Sequence, residues 1–241
     1  MIRFAAIFLA SFAYAQTPAA LQFEVAAIKP ASPEEIQAGS SGCYTGHGRA
    51  RCTDVTLKRC IVGAYHAGPG QIVGGPSWID SDRFHIEAKA AEAVGDDAEL
   101  DAMMKALLAE RFHLTLHRET RNLQALVLEA AKNGPKLEKA PGGEAVTDSS
   151  QGLLTLKNTT MDGLAERLAR VTELPVVNHT AIDGVFNMKL VWTPEGENPK
   201  GPGSPPSLFT AIQEQLGLRL QSQKTQVEVL VVDHAERPDA N

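Results

Sequence analysis

The sequence predicts an α+β fold of two tandem, internally duplicated units, each with short mixed or antiparallel sheets and packed helices. Three observations lead there. LLAERFHLTLHRETRNLQALVLEAAK, from Leu107, aligns without a gap on AIQEQLGLRLQSQKTQVEVLVVDHAE, from Ala211, a shift of 104 residues. The same shift lays DVTLKRCIVGAY, from Asp54, over NTTMDGLAERLA, from Asn158, and a fixed internal shift marks a repeated unit. Helical and alternating apolar patterns are interleaved in both halves, with several hairpin-like returns. That order favours α+β over a doubly wound parallel sheet.

The elements follow in chain order. FEVAAIKP reads as an opening strand stopped by proline. Thr56 is placed to cap a helix with Leu57, Cys60, Ile61 and Ala64 on one face. A short strand at 71–73, a Gly-Gly-Pro turn and a strand at 83–89 come next. A helix from Asp97 carries Leu100, Met103, Met104, Leu107 and Leu108 at three- and four-residue spacing. Two strands, at 114–118 and 123–130, end the first unit. The second unit repeats this with a strand at 153–157, a helix carrying Met161, Leu164 and Leu168, and strands at 175–177 and 185–192. A helix capped by Ser207 ends near Gly217, and strands at 218–221 and 227–232 close the chain. Residues 1–15 read as a signal peptide, 16–135 as the first unit, 136–150 as a Pro/Gly/Ser-rich linker and 151–241 as the second unit. A further Pro/Gly loop spans 194–206.

The stretch GGPSWIDSDRF, starting at Gly74, has a counterpart in the second unit, TAIDGVF. Ile79 and Asp80 match Ile182 and Asp183, which reads as turn chemistry: the aspartate binds its own backbone and Gly184 supplies a free φ. Trp78 becomes Ala181, and Arg83 has no equivalent. These two are extras of the first unit and could line a ligand surface, although an aromatic packed on the turn is the commoner arrangement.

Composition narrows the function. The formal charge is −6 and no long Lys/Arg block occurs, so nucleic acid is not an expected partner. MIRFAAIFLASFAYAQTP has a positive start, an apolar run and an Ala-Tyr-Ala cleavage site, so the mature chain should begin at Gln16 and be periplasmic or secreted. No later run is long and apolar enough to span a bilayer as a helix. In an oxidising compartment Cys43 and Cys52 read as a disulfide closing a Gly-rich loop. Cys60 stands where the second unit has Leu164, and reads as a buried free thiol. The alternative is a metal set drawn from Cys43, His47, Cys52 and Cys60. His113 and His117, four apart on an expected strand, could share a metal or simply face solvent. Nucleophile-elbow, Ser-x-x-Lys, His-Glu-x-x-His, phosphate-loop and dinucleotide motifs are absent.

FEVAAIKP, VTLKRCIVGAY, QIVGGPSWIDSDRFHIEAKA, LLAERFHLTLHRET, LVLEAAKNGPKLEKA and VEVLVVDHAERP resemble a large uncharacterised family of exported bacterial proteins, expanded in acidobacterial-type genomes. In some relatives of the family the chain resembles, the same domain of unknown function follows membrane sensor metallopeptidases of the β-lactam-response type. The resemblance implies a secreted or periplasmic sensing or binding domain and supplies no catalytic residues. The metallopeptidase motif is missing, so that activity is not carried over. Each unit is also similar to the small βαβ modules that precede secretin and TonB-receptor channels, an analogy of fold alone.

The expectation is therefore an exported, non-catalytic domain without a cofactor, binding an envelope protein or a small ligand. Its expected surface is the disulfide loop with Tyr44 and His47, together with Trp78 and Arg83. The alternatives are an extracytoplasmic metal binder, using Cys43, His47, Cys52, His113 or His117, and a hydrolase with an unrecognised carboxylate site.

Overall fold

A computed structural model describes residues 21–32, 34, 41–92, 94, 97–197, 201 and 203–239. The expected signal peptide and the mature start at Gln16 lie outside the described residues. The chain is mixed α+β, with twelve strands and five α-helices among those residues.

The first half begins with β1 (Val25–Pro30), the hairpin β2 (Gly42–Gly46) and β3 (Arg49–Thr56), and α1 (Leu57–Ala64). Thr56 caps α1 as its spacing predicts, its hydroxyl accepting from the Arg59 N–H at 3.2 Å. A 3₁₀ turn (Pro69–Gln71), β4 (Ile72–Gly74), α2 (Trp78–Ser81), β5 (Arg83–Lys89), α3 (Asp97–Arg111) and β6 (Thr115–Ala130) follow. The second half runs β7 (Glu138–Lys139), β8 (Val146–Ser150), β9 (Leu153–Thr159), α4 (Met161–Thr172), β10 (Val176–Asn178), β11 (Phe186–Val191), α5 (Leu208–Leu216) and β12 (Leu218–His234). Thr160 and Ser207 cap α4 and α5 through the N–H groups of Gly163 and Thr210. The stretch 136–150 thus contributes β7 and β8, each paired in a sheet.

Three four-stranded sheets result. Two are antiparallel, ordered β1-β5-β3-β2 and β7-β11-β9-β8. The third is ordered β10-β6-β12-β4. Its central pair is antiparallel and each outer strand joins the other half's long strand in parallel. Adding 104 to Ile72 and to Leu126 gives Val176 and Leu230; the ladder pairs Ile72 with Leu230 and Val176 with Leu126. In the central pair, Asn122 faces Gln226, which is also 104 residues away.

The main cores follow from this exchange of strands. Leu230, Val232 and Ala235 are buried with the first sheet, α1 and α3, whereas Leu126 and Leu128 are buried with α4, α5 and strands β9 and β11 of the second half. A smaller cluster of Ala125, Val227 and Val229 lies on the opposite face of the central sheet, as strand alternation requires.

Two expectations need correction. The strands expected at 114–118 and 123–130 are one strand, β6, and those at 218–221 and 227–232 are one strand, β12. The polar segments that looked like breaks pair with each other's strand: Thr120 faces Glu228 and Arg121 faces Val227. Backbone groups are satisfied across the ladder while the side chains stay in solvent, so polarity does not end the strand. At the tryptophan turn, Asp80 does not serve its own backbone; its carboxylate meets Lys58 Nζ at 2.8 Å at the start of α1. The two glycines before it, Gly74 and Gly75, both have φ +76, which explains why that entry is built from glycine.

Candidate functional site

The residues singled out in the sequence are spread over the first half. Trp78 is only 8% exposed and lies against Phe84 and Phe112, with ring centroids at 6.3 and 6.4 Å. The Arg237 guanidinium sits over its ring at 5.3 Å. Arg83 donates through Nη1 to the Asp54 carbonyl at 3.0 Å and lies 3.4 Å from its carboxylate. Asp54 has φ +51 and sits where the β3–β5 register shifts, so Arg83 secures a bulge. The second half builds the same feature differently: Asn158 has φ +50 and donates its N–H to Asn187 Oδ1 at 3.3 Å. Tyr44 is exposed on β2, and His47 is exposed in the β2–β3 turn with φ +50.

Cys43 and Cys52 face each other across β2 and β3 and are disulfide-bonded, which removes both thiolates from any metal set. Cys60 is free and buried in α1, and burial pushes its thiol up to about 12, so it too is neutral. His113 and His117 do not share a strand face. His113 precedes β6, has φ +46 and meets Glu236 at 3.1 Å, whereas His117 meets Asp233 at 2.9 Å. The left-handed backbone at His113 breaks the alternation on which the pairing was argued. Among the described residues no group of three or more His, Cys, Asp or Glu side chains has metal-holding geometry.

None of Tyr44, His47, Trp78 and Arg83 lines the main charged cleft, which has a volume of about 720 Å³. Its walls are α1, the disulfide hairpin, α3 and the second half of α4. His66 lines it, just beyond α1, with φ +53. One ring nitrogen, Nε2, contacts Asp101 Oδ2 on α3, and the other, Nδ1, lies 3.5 Å from Glu166 Oε1 on α4. Glu166 is held in turn by Arg170 Nη2 at 2.6 Å. The hydrogen bond with Glu166 raises the His66 pKa, helped by the hydrogen bond and charge of Asp101; partial burial opposes them, and the result is about 9. Burial alone would raise the Glu166 pKa, but His66 and the Arg170 and Arg167 charges outweigh it and bring it below the ordinary value.

Arg167 completes the wall. It makes no hydrogen bond or close ion pair among the described residues; burial followed by the charge of Arg170 lowers its pKa, and the charge of Glu166 opposes them. Lys58, Arg59, His66, Arg167 and Arg170 line the cleft together with Asp97, Asp101 and Glu173. His66 and Arg170 are engaged by Asp101 and Glu166, so Arg167 is the half-buried guanidinium with donors to offer an anion's oxygen acceptors. The same arrangement speaks against proton abstraction: an imidazole that stays protonated up to about pH 9 is no base at neutral pH.

The family described as "Protein of unknown function (DUF3738)" matches residues 58–235. The chain belongs to the DUF3738 family. No curated protein and no solved structure matches it. The DUF3738 segment starts inside α1 and contains His66, Asp101, Glu166, Arg167 and Arg170, while the disulfide hairpin lies before it.

Sequence reasoning passed over His66 because its partners are not near it in the chain. Asp101 is 35 residues away, and Glu166 comes from the other half. One signal was present: the shift of 104 carries His66 onto Arg170, and the two positions related by it belong to the same ionic group.

Proposed function

We propose that this DUF3738 protein is exported and acts outside the cytoplasm as a non-catalytic binding protein whose charged cleft takes the anionic group of a small ligand. The observation that carries the binding reading is Arg167, a half-buried guanidinium that makes no hydrogen bond or close ion pair among the described residues, in a cleft it shares with Arg170 and protonated His66. The leader-like residues 1–15 and the Cys43–Cys52 bond support export. The same reading takes the chain as two copies of one unit. The matching strand orders of the outer sheets and the recurring shift of 104 support it.

The test is a calorimetric screen of the mature protein against small carboxylates, phosphates and sulfates, matched with neutral analogues. Saturable binding of an anion, weakened about tenfold or more in Arg167→Ala and unchanged in the distant Arg121→Ala, is the expected result. Anion binding that ignores Arg167 sinks the cleft assignment. Intact mass of the protein recovered from a secreting host tests export: a chain starting at Gln16 supports it, and a chain that keeps residues 1–15 refutes it.

A further inference from the structure

A second depression, of about 810 Å³, lies in the second half and shares no lining residue with the charged cleft. Its floor includes Leu126 and Trp192, which are 1% and 7% exposed. Its rim carries Leu174 and Phe209, exposed to 42% and 48%. Both leave apolar surface in solvent that an apolar ligand in the hollow would cover. Among the described residues, the charged side chains that line the hollow are acidic. Glu195 and Glu197 line it, and no lysine or arginine does so among the described residues. Glu197 accepts from Gln151 at 3.0 Å, whereas Glu195 has no ion-pair partner among the described residues.

The combination is specific. An apolar hollow of this size suits a hydrocarbon body. Aromatic ring faces attract cations. Two carboxylates at the mouth attract a positive head group and repel a negative one. We propose that this depression binds an apolar organic cation, an ammonium carried on a hydrocarbon body, with the hydrocarbon over Leu126, Leu174 and Trp192 and the ammonium near Phe209, Glu195 and Glu197. An anionic amphiphile fits the same hollow but sets its charge against the glutamates.

Three probes with one tail and different heads separate these terms: dodecyltrimethylammonium, dodecyl maltoside and dodecyl sulfate. Each is titrated calorimetrically into the mature chain below its micelle concentration, with thermal unfolding followed in parallel. The ammonium is expected to bind saturably, to raise Tm, and to bind about tenfold more tightly than the maltoside, with the sulfate weakest. Glu195→Gln combined with Glu197→Gln should erase the preference for ammonium over maltoside, and Phe209→Ala should weaken ammonium binding. Sulfate binding as tight as ammonium binding overturns the proposal, as does an ammonium preference that survives the double substitution, or an ammonium probe that only lowers Tm. Arg167→Ala should leave ammonium binding unchanged, so this test stands or falls apart from the charged cleft.

Discussion

At the scale of single residues, His66 shows how position outweighs identity. A histidine next to a helix end is unremarkable until α3 and α4 bring Asp101 and Glu166 to its two nitrogens. The folded protein then holds the ring protonated, with a pKa of about 9 against an ordinary 6.5. Its contribution to stability is therefore complete below about pH 6.5 and disappears as pH rises through about 9. Glu166 acts at the other limb: its lowered pKa contributes stability above the ordinary 4.5 that is lost on acidification. Urea midpoints measured between about pH 6 and 10 should fall more steeply for the wild-type protein than for His66→Gln. Parallel curves for the two proteins would mean that the clamp contributes nothing. His66 is about half exposed, so the expected difference is small and needs paired measurement.

At the scale of elements, short helices are set by their ends. Thr56, Thr160 and Ser207 each satisfy a backbone N–H in the first turn, so α1, α4 and α5 start where the sequence says they should. The end of α5 depends on more than local preference. Gly217 has φ +63, and its neighbours are the backbone atoms of Gly134, Pro135 and Lys136. Lys136 donates to the Leu216 carbonyl at 2.8 Å and Ala131 to the Gly217 carbonyl at 3.0 Å, so the helix end is sewn to the turn after β6. Gly217→Ala should destabilise the protein by about 2 kcal/mol or more, since left-handed strain and collision with that turn act together. Gly196→Ala, with φ +85 but open space around the new Cβ, should cost about 1 kcal/mol, and chemical denaturation compares them directly. Equal losses would show that the turn yields and that φ alone matters.

At the scale of the whole molecule, the halves exchange strands. β4 of the first half lies on β12 of the second, and β10 of the second lies on β6 of the first. Each core takes side chains from the other half's long strand: Leu230 and Val232 in one direction, Leu126 and Leu128 in the other. A half alone would expose those apolar contacts and leave a three-residue edge strand unpaired. Fragments 16–135 and 136–241 prepared separately should therefore lack a cooperative unfolding transition, and mixing them should restore one. A sharp transition in either fragment by itself would show that the exchange is decoration on two independent domains.

Sequence alone determined the local features. Helix caps, the apolar faces of α1, α3 and α4, and the strand at Arg83–Lys89 are legible because each is decided within a few residues. The shift of 104 is legible because it needs only comparison of the chain with itself. Tertiary structure decided the rest. It joined four expected strands into β6 and β12, because only a paired neighbour can carry polar residues through a strand without loss of backbone hydrogen bonds. It put Trp78 in the core and gave Arg83 to the Asp54 bulge, because burial and a distant carbonyl compete for side chains that look available in a linear text. It also assembled the charged cleft from α1, α3 and α4, since attraction between His66, Asp101 and Glu166 acts over a few ångströms of space whatever their separation along the chain.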